Sequence, residues 1–384
     1  MLNFAYKNPT EILFGEKQIN EARSRIPNNA KVLFLYGGGS IKKNGIYDDV
    51  INLLDGFEVT EFSGVEANPS YETLIKAVEL AKQESIGFIL AVGGGSVVDG
   101  GKFIAAAVNY DGDPWEILAK GGEVKSALPL GCVLTLPATG SESNGNSVVT
   151  RKSTQQKLPF TSPLVQPLFA VLDPVYTYSL PEKQISNGVV DAFVHVIEQY
   201  LTYPVNAPLQ DRFAEGILQT LVEQGPKALA NPQDYDTRAN IMWSATMALN
   251  GLIGQGVPQD WSTHMIGHEL TAIYHLDHAQ TLAVVLPSLM YVQRDKKAEK
   301  LKQLGQRVFA INESDDAVQI DKTIQAVQNF FEQMKVKTRL ADYDLTESAI
   351  TQVVTNLEKN GMTQLGEHQD IDLTKVTAIL KLAL

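Results

Sequence analysis

The chain contains six histidines, and four of them, His264, His268, His275 and His278, fall between residues 264 and 278. His264 and His268 are four residues apart, the spacing that puts two side chains on one face of a helix. Asp191 and His195 repeat that spacing in a second helical pattern. A carboxylate and imidazole facing two or three further imidazoles make a nitrogen-and-oxygen site for a divalent metal. The segment from Asn187 to His195 is otherwise apolar, which turns Asp191 and His195 inward. An unpaired buried carboxylate is costly, and a bound cation removes that cost. Each pair taken alone has a plainer account. Asp191 and His195 could be a surface i,i+4 contact, and His264 and His268 a partly buried polar pair. His268-Glu269 does not open a zinc-protease H-E-x-x-H, because residue 272 is Ala. Spacing alone leaves open which of the four clustered histidines are ligands.

Two glycine runs carry a second kind of chemistry. Gly93-Gly94-Gly95-Ser96 follows the apolar run from Phe88 to Val92 and precedes a helical pattern from Val97 to Val108. Backbone N–H groups without side chains in the way, at a helix N-terminus, suit a phosphate. The plainer account is a tight strand-to-helix turn, with Ser96 as a cap. The run is not G-x-G-x-x-G, so the ordinary dinucleotide fingerprint is not met. Asp99 suits the helix dipole but would repel a phosphate, so it is expected to meet a ribose or amide group, or Lys102. Gly37-Gly38-Gly39-Ser40 follows a strand over 31–36. No carboxylate ends that strand to accept from a ribose 2′-hydroxyl, and Ser40, Lys42 and Lys43 come next. That neighbourhood favours a 2′-phosphate, hence NADP(H) over NAD(H).

The elements needed to position these residues are legible in the hydrophobic pattern. Strands are expected over 31–36, 57–62, 88–92, 132–136 and 169–172, and helices over 71–83 and 97–108. Strand and helix in alternation predict a parallel sheet covered by helices. From about Pro181 the period becomes helical throughout, over 187–201, 207–229, 234–249, 262–274, 281–294, 296–310, 321–334, 346–359 and 373–382. The expected organisation is an α/β domain with a Rossmann-like dinucleotide site over 1–179, and an all-helical metal- and substrate-binding domain over 180–384. The cleft between two such domains is the expected place for an active site.

Composition limits the partners. A formal charge of −12 argues against nucleic acid, whose backbone calls for a basic face. The single cysteine, Cys132, allows no internal disulfide or thiolate cluster, and its apolar neighbours predict a buried thiol. The N-terminal residues lack the pattern of a secretory signal, and no run of about 18 apolar residues suggests a membrane span. A soluble cytoplasmic protein is expected.

Over nearly its full length the sequence resembles the iron-containing, or group III, alcohol dehydrogenases, especially the NADPH-dependent aldehyde reductase and butanol dehydrogenase branch. The family's G-G-G-S-x-x-D stands as Gly93-Gly94-Gly95-Ser96-Val97-Val98-Asp99. Its T-T-x-G-T-G-S-E stands as Thr135-Leu136-Pro137-Ala138-Thr139-Gly140-Ser141-Glu142, departing at Leu136 and Ala138. The resemblance implies cofactor contacts for Thr135 and Thr139, and places Lys157 and Tyr176 near the cofactor. The cofactor-binding set expected is Gly37, Gly38, Gly39, Ser40, Lys43, Gly93, Gly94, Gly95, Ser96, Asp99, Thr135, Thr139, Asn144, Lys157 and Tyr176. The family's metal ligands, an Asp, a His four residues on, and two histidines fourteen apart, match Asp191, His195, His264 and His278. His268 then falls beside the substrate as a proton carrier or orienting group, not a ligand. Ala279 replaces a glycine common in relatives. NAD-preferring relatives place an Asp after the first strand, where this chain has Gly37-Gly38-Gly39. The implied function is hydride transfer between NADP(H) and a small alcohol or aldehyde, assisted by Fe²⁺ or Zn²⁺, in a homodimer. A metal-dependent lyase of dehydroquinate synthase type is the alternative, though the apolar stretch from Trp243 to Trp261 suits it poorly. A protein that binds a dinucleotide without chemistry is a third reading, disfavoured by the intact ligand set.

Overall fold

The computed structural model describes residues 1–384. Two compact units emerge. One comprises Lys7–Pro181 with Pro232–Thr246, the other Met1–Tyr6, Glu182–Asn231 and Met247–Leu384. The expected division at 179/180 falls two residues short of the observed boundary and differs from it in two further segments. The first six residues fold with the helices, and 232–246 folds with the α/β unit.

The α/β unit runs β1 (Glu11–Phe14), β2 (Lys31–Tyr36), α1 (Ile46–Leu53), β3 (Glu58–Phe62), α2 (Tyr71–Gln83), β4 (Phe88–Gly94), α3 (Gly95–Ala107), α4 (Glu116–Ala119), β5 (Leu130–Leu136), β6 (Asn146–Arg151), β7 (Gln156–Thr161) and β8 (Phe169–Leu172). Six strands form one sheet in the order β1-β8-β5-β4-β2-β3, and every pairing in it is parallel. Both faces of such a sheet are buried, which explains why β2, β4 and β5 read as unbroken apolar runs. Strand β3 lies on one side of β2 and β4 on the other. The connections therefore reverse direction between β2 and β4, and that reversal opens a crevice at the strands' carboxyl ends. The two glycine runs, at the ends of β2 and β4, flank it. The antiparallel hairpin β6–β7 stands apart from the sheet.

The second unit begins with α5 (Glu182–Tyr200) and α6 (Pro208–Ala230). Helix α7 (Tyr235–Leu249) then lies mostly in the α/β unit. There Arg238 donates to the Thr177 carbonyl at 2.8 Å, and the Trp243 ring meets Phe14 edge-on at 5.9 Å. The rest is α8 (Ser262–Tyr274), α9 (His278–Val292), α10 (Ala298–Val308), α11 (Asp316–Gln333), α12 (Glu347–Lys359) and α13 (Leu373–Leu382). A two-residue ladder between Gln364–Leu365 and Ile371–Asp372 interrupts what was expected to be wholly helical. Helix α5 is buried almost all round, as its apolar run from Val189 to Ile197 requires. Phe193 packs on Phe330 and Phe331 of α11, at 5.0 and 5.7 Å between ring centroids. No helix is long and apolar enough to cross a membrane.

Candidate active site

Asp191 and His195 project from the middle of α5, His264 from the first turn of α8, and His278 from the first residue of α9. One donor atom from each lies within 4.8 Å of the other three. Asp191 Oδ1 stands 3.8 Å from His195 Nε2 and 3.7 Å from His278 Nε2. Two donors about 2 Å from a shared tetrahedral ion would sit about 3.3 Å apart, so a small contraction closes the shell. Three imidazoles and one carboxylate are a suitable donor set for a borderline divalent cation. Asp191, His195 and His264 are buried, and His278 is the most open of the four. His268 is outside the four-donor group. Its ring centroid lies 6.2 Å from that of His264 and 5.2 Å from that of His278.

Neighbouring groups hold these side chains. Glu198, one turn beyond His195 on α5, accepts from His264 Nδ1 and, at 2.6 Å, from the Thr263 N–H. The bond fixes the ring's orientation and leaves the other nitrogen for the donor cluster. Burial, followed by the nearby Asp260, pushes the Glu198 carboxyl well above the usual range, and the bonds from Thr263 and His264 oppose the shift. The start of α9 is set by a capping box between Asp277 and Gln280. Asn187 and Lys183 of α5 reach Asp277 Oδ2 at 3.0 and 2.8 Å, which ties His278 to the helix carrying Asp191. Before α8, Asp260 is locked by buried Lys297, at 2.7 Å, and Lys297 also contacts Glu367 at 2.9 Å. Burial works against the Lys297 charge, and the two carboxylates outweigh it, so its pKa is raised. Between Asp260 and Ser262, Trp261 takes a left-handed conformation with φ 63°. Its indole lies 5.2 Å from the His264 ring, edge to face.

The expected cofactor residues fall into three groups. At the β2 turn, Gly38 and Ser40 are exposed, and a Cβ on Gly38 or Gly39 would meet nothing within 4 Å. Gly39 needs its freedom, at φ +88°, but Gly38 has neither a positive φ nor a packing neighbour to explain it. Its bare backbone is open to its surroundings. Lys43 is exposed with no ion pair, whereas Lys42 lies over the Tyr47 ring. At the β4 turn the glycines have internal reasons. A Cβ on Gly93 would stand 2.5 Å from Val97, and one on Gly95 2.3 Å from Thr139 Oγ1. Close packing thus accounts for two of the three. Gly94 and Ser96 stay half-buried at the start of α3.

The third group is built into the scaffold. Asp99 Oδ1 accepts from Ser141 and Oδ2 from the Val148 N–H at 3.0 Å. Fully buried Lys102 donates to Ser141, Asn144 and the Asn146 carbonyl at 2.8, 3.0 and 2.7 Å. Burial brings Lys102 down to about 8, with Asp99 opposing. These bonds pin the segment carrying Thr139 and Asn144 to α3. Thr139 accepts from the Ser141 N–H at 3.2 Å, and Thr135 is half-buried at the end of β5. Lys157 donates to Asn68 at 2.9 Å, and the Asn68 N–H to Ser96 at 3.3 Å. Tyr176 donates to Asp49 at 2.8 Å. Cys132 is buried and free.

Sequence reasoning passed over Glu198, Asn68 and the Asp260–Lys297–Glu367 cluster. Glu198 carried a signal: Asp191, His195 and Glu198 recur at helical spacing along one stripe. The others join residues remote in sequence and left none.

Comparison with known proteins agrees over the whole chain. The iron-containing alcohol dehydrogenase model matches residues 9–174, and the C-terminal model of the Fe-containing alcohol dehydrogenase family matches 185–384. The chain is 60% identical to the NADPH-dependent aldehyde reductase YqhD of Escherichia coli K12, over 97% of each chain. It is 40% identical to the probable NADH-dependent butanol dehydrogenase 1 of Bacillus subtilis 168, over 100% of each. The crystal structure of E. coli YqhD superposes with a TM-score of 0.99, at 59% identity, covering 100% of this chain and 99% of that one. That of NADH-dependent butanol dehydrogenase A from Thermotoga maritima gives 0.96, at 37% identity and the same coverage. With a parallel sheet bearing glycine turns, a helical unit gathering one carboxylate and three imidazoles, and this likeness from end to end, the chain belongs to the iron-containing alcohol dehydrogenase family.

Proposed function

We propose that this oxidoreductase reduces small aldehydes, and oxidises the matching alcohols, with NADP(H) and a divalent metal, Fe²⁺ or Zn²⁺, held by Asp191, His195, His264 and His278. The observation that carries the reading is the four-donor cluster, whose chemistry fits such an ion. When bound, the metal supplies Lewis acidity at the substrate oxygen, and NADPH supplies the hydride. The chain's own residues do the remainder. Asp191 is the one formal negative charge among the four, so the loaded centre stays net positive. Glu198 holds His264 in the ligating orientation. His268 orients the substrate or carries a proton at its oxygen. Gly93, Gly94, Gly95 and Ser96, with Thr135 and Thr139, receive the diphosphate and nicotinamide portions. Gly37, Gly38, Gly39, Ser40 and Lys43 receive the 2′-phosphate end, for which Gly38's open backbone is the support. Asp99, Asn144, Lys157 and Tyr176 belong to the cofactor set through the resemblance. Their polar atoms already bond within the protein, so they act as its frame.

The lyase alternative is not favoured, since the relatives described above are a reductase and dehydrogenases. The homodimer and the cytoplasmic setting remain part of the proposal, and sedimentation tests the first. The central test is steady-state oxidation of NADPH and of NADH by short aldehydes, on protein stripped of metal and reloaded with Fe²⁺ or Zn²⁺. Metal-dependent turnover favouring NADPH is expected. Turnover that persists without metal overturns the ligand assignment, and a preference for NADH overturns the cofactor assignment.

A further inference from the structure

The sequence offered no carboxylate at the end of β2, but the fold brings one in from the adjacent strand. Glu61 is the penultimate residue of β3, paired in register with Phe34 of β2. The chain leaving β3 is bonded to the first glycine turn. The Gly64 N–H donates to the Gly37 carbonyl at 3.0 Å, and the Val65 N–H to the Tyr36 carbonyl at 3.3 Å. An acid about 20 residues beyond the glycine turn of a dinucleotide site is the usual acceptor for a ribose 2′-hydroxyl, and its charge disfavours a 2′-phosphate. Glu61 has that place, but its carboxylate is already engaged. The Tyr36 hydroxyl donates to Oε2 at 2.8 Å and the Tyr47 hydroxyl to Oε1 at 2.5 Å. The Lys42 ammonium lies 3.9 Å from Oε2, and 5.3 and 4.6 Å from the ring centroids of Tyr36 and Tyr47.

We propose that Tyr36, Tyr47 and Lys42 mask Glu61, and that this mask sets the cofactor preference. With each oxygen already accepting from a tyrosine hydroxyl and its charge partly offset by Lys42, Glu61 is a weaker acceptor for a 2′-hydroxyl and repels a 2′-phosphate less. Lys42 is then a neutralising partner for Glu61, which leaves Ser40 and Lys43 to face the phosphate. The inference rests on reading the β2 turn as the ribose end of an NADP(H) site, and it adds a specificity device to that reading.

The test uses the nucleotide halves 2′,5′-ADP and 5′-AMP as calorimetric probes on the full chain, so neither metal nor turnover enters. The double variant Tyr36→Phe/Tyr47→Phe keeps both rings and removes only the hydroxyls. Its 2′,5′-ADP affinity should fall about tenfold, the size of one charge-assisted hydrogen bond, while its 5′-AMP affinity rises. Adding Glu61→Gln should restore 2′,5′-ADP binding. A ratio of affinities unchanged within about twofold in the double variant, or no recovery with Glu61→Gln, overturns the mask. If the double variant does not fold, exposed Lys42→Met serves instead. It should weaken 2′,5′-ADP severalfold and spare 5′-AMP, and equal effects on both overturn the proposal. A native chain that prefers 5′-AMP refutes the NADP(H) reading and the mask together. A native chain that prefers 2′,5′-ADP while the variants change nothing refutes the mask alone.

Discussion

Replacing Glu198 by Gln should cost the protein about ten- to a hundredfold in metal affinity with little loss of fold. The carboxylate is 3% exposed and accepts two hydrogen bonds, from the Thr263 N–H and from His264 Nδ1. Gln has the same shape but replaces one oxygen by an NH₂. Turned one way, the NH₂ meets the Thr263 N–H, donor against donor. Turned the other way, it obliges His264 Nδ1 to accept, which moves the ring proton onto the nitrogen that the donor cluster needs. With metal on the other nitrogen, Nδ1 must keep its proton, so either orientation forfeits one buried hydrogen bond to a charged group, about 1.5–3 kcal/mol. At about 1.4 kcal/mol per decade this is the stated factor in binding. The assay is competition for Zn²⁺ or Fe²⁺ against a chelator of known affinity, with the melting of the metal-free protein as the control. A Glu198→Gln protein that folds and binds metal within about threefold of the native affinity refutes the claim that Glu198 orients His264.

The two glycine turns should respond in opposite ways to a single methyl. Gly95→Ala drives a Cβ to 2.3 Å from Thr139 and should destabilise the fold by about 1–3 kcal/mol, read in denaturant titration. Gly38→Ala meets nothing, so stability should stay within about 0.5 kcal/mol while NADPH affinity falls; equal melting and equal binding would show the β2 turn to be empty of ligand. His268→Ala should keep its metal and lose about 10²–10⁴ in kcat, whereas parallel loss of metal would make His268 a ligand. Burial, with the Asp260 hydrogen bond, lifts Glu367 to about 7 against a reference of 4.5, opposed by Lys297. The folded chain then keeps a proton that the unfolded chain releases, so this group's stabilisation is full below pH 4.5 and is lost as pH rises through 7. Stability measured across that window should slope less in Glu367→Gln than in the native protein, and identical slopes would contradict the shift.

Much of this architecture was legible because its signals are local. Phe88 to Val92 is apolar without alternation, as a strand covered on both faces must be. Asp191 and His195 stand at an interval that one helix translates directly into a face, whereas His264 and His278 lie on different helices and only the resemblance singled them out from the clustered histidines. Strand β1 escaped notice because Glu11–Phe14 is short and mostly exposed, and β6 because its Ser, Thr and Arg residues give no clear alternation. Neither shows its partner in the sequence. The affiliation of 232–246 depended on Arg238 and Trp243 finding Thr177 and Phe14, contacts that hydrophobic periodicity does not encode. The glycines at 93 and 95 taught a separate lesson. Their spacing suggested a phosphate, yet Val97 and Thr139 already forbid any side chain there. Among the six glycines of the two turns, the one whose bareness is left unexplained by the protein's own packing is Gly38.

Trp261 has a wider consequence. A bulky residue in the left-handed region costs about 1–2 kcal/mol and persists only where its surroundings insist on it. Here the neighbouring Asp260 is held by Lys297, which also contacts Glu367, two residues remote from it in sequence. Asp260 grips the Ser262 N–H at 2.9 Å and so fixes where α8 begins, and His264 rides on that first turn. The cluster works as a brace: it keeps a bent spring loaded beneath His264. The position of that imidazole is therefore held from behind, through Asp260, as well as by Glu198 at its side.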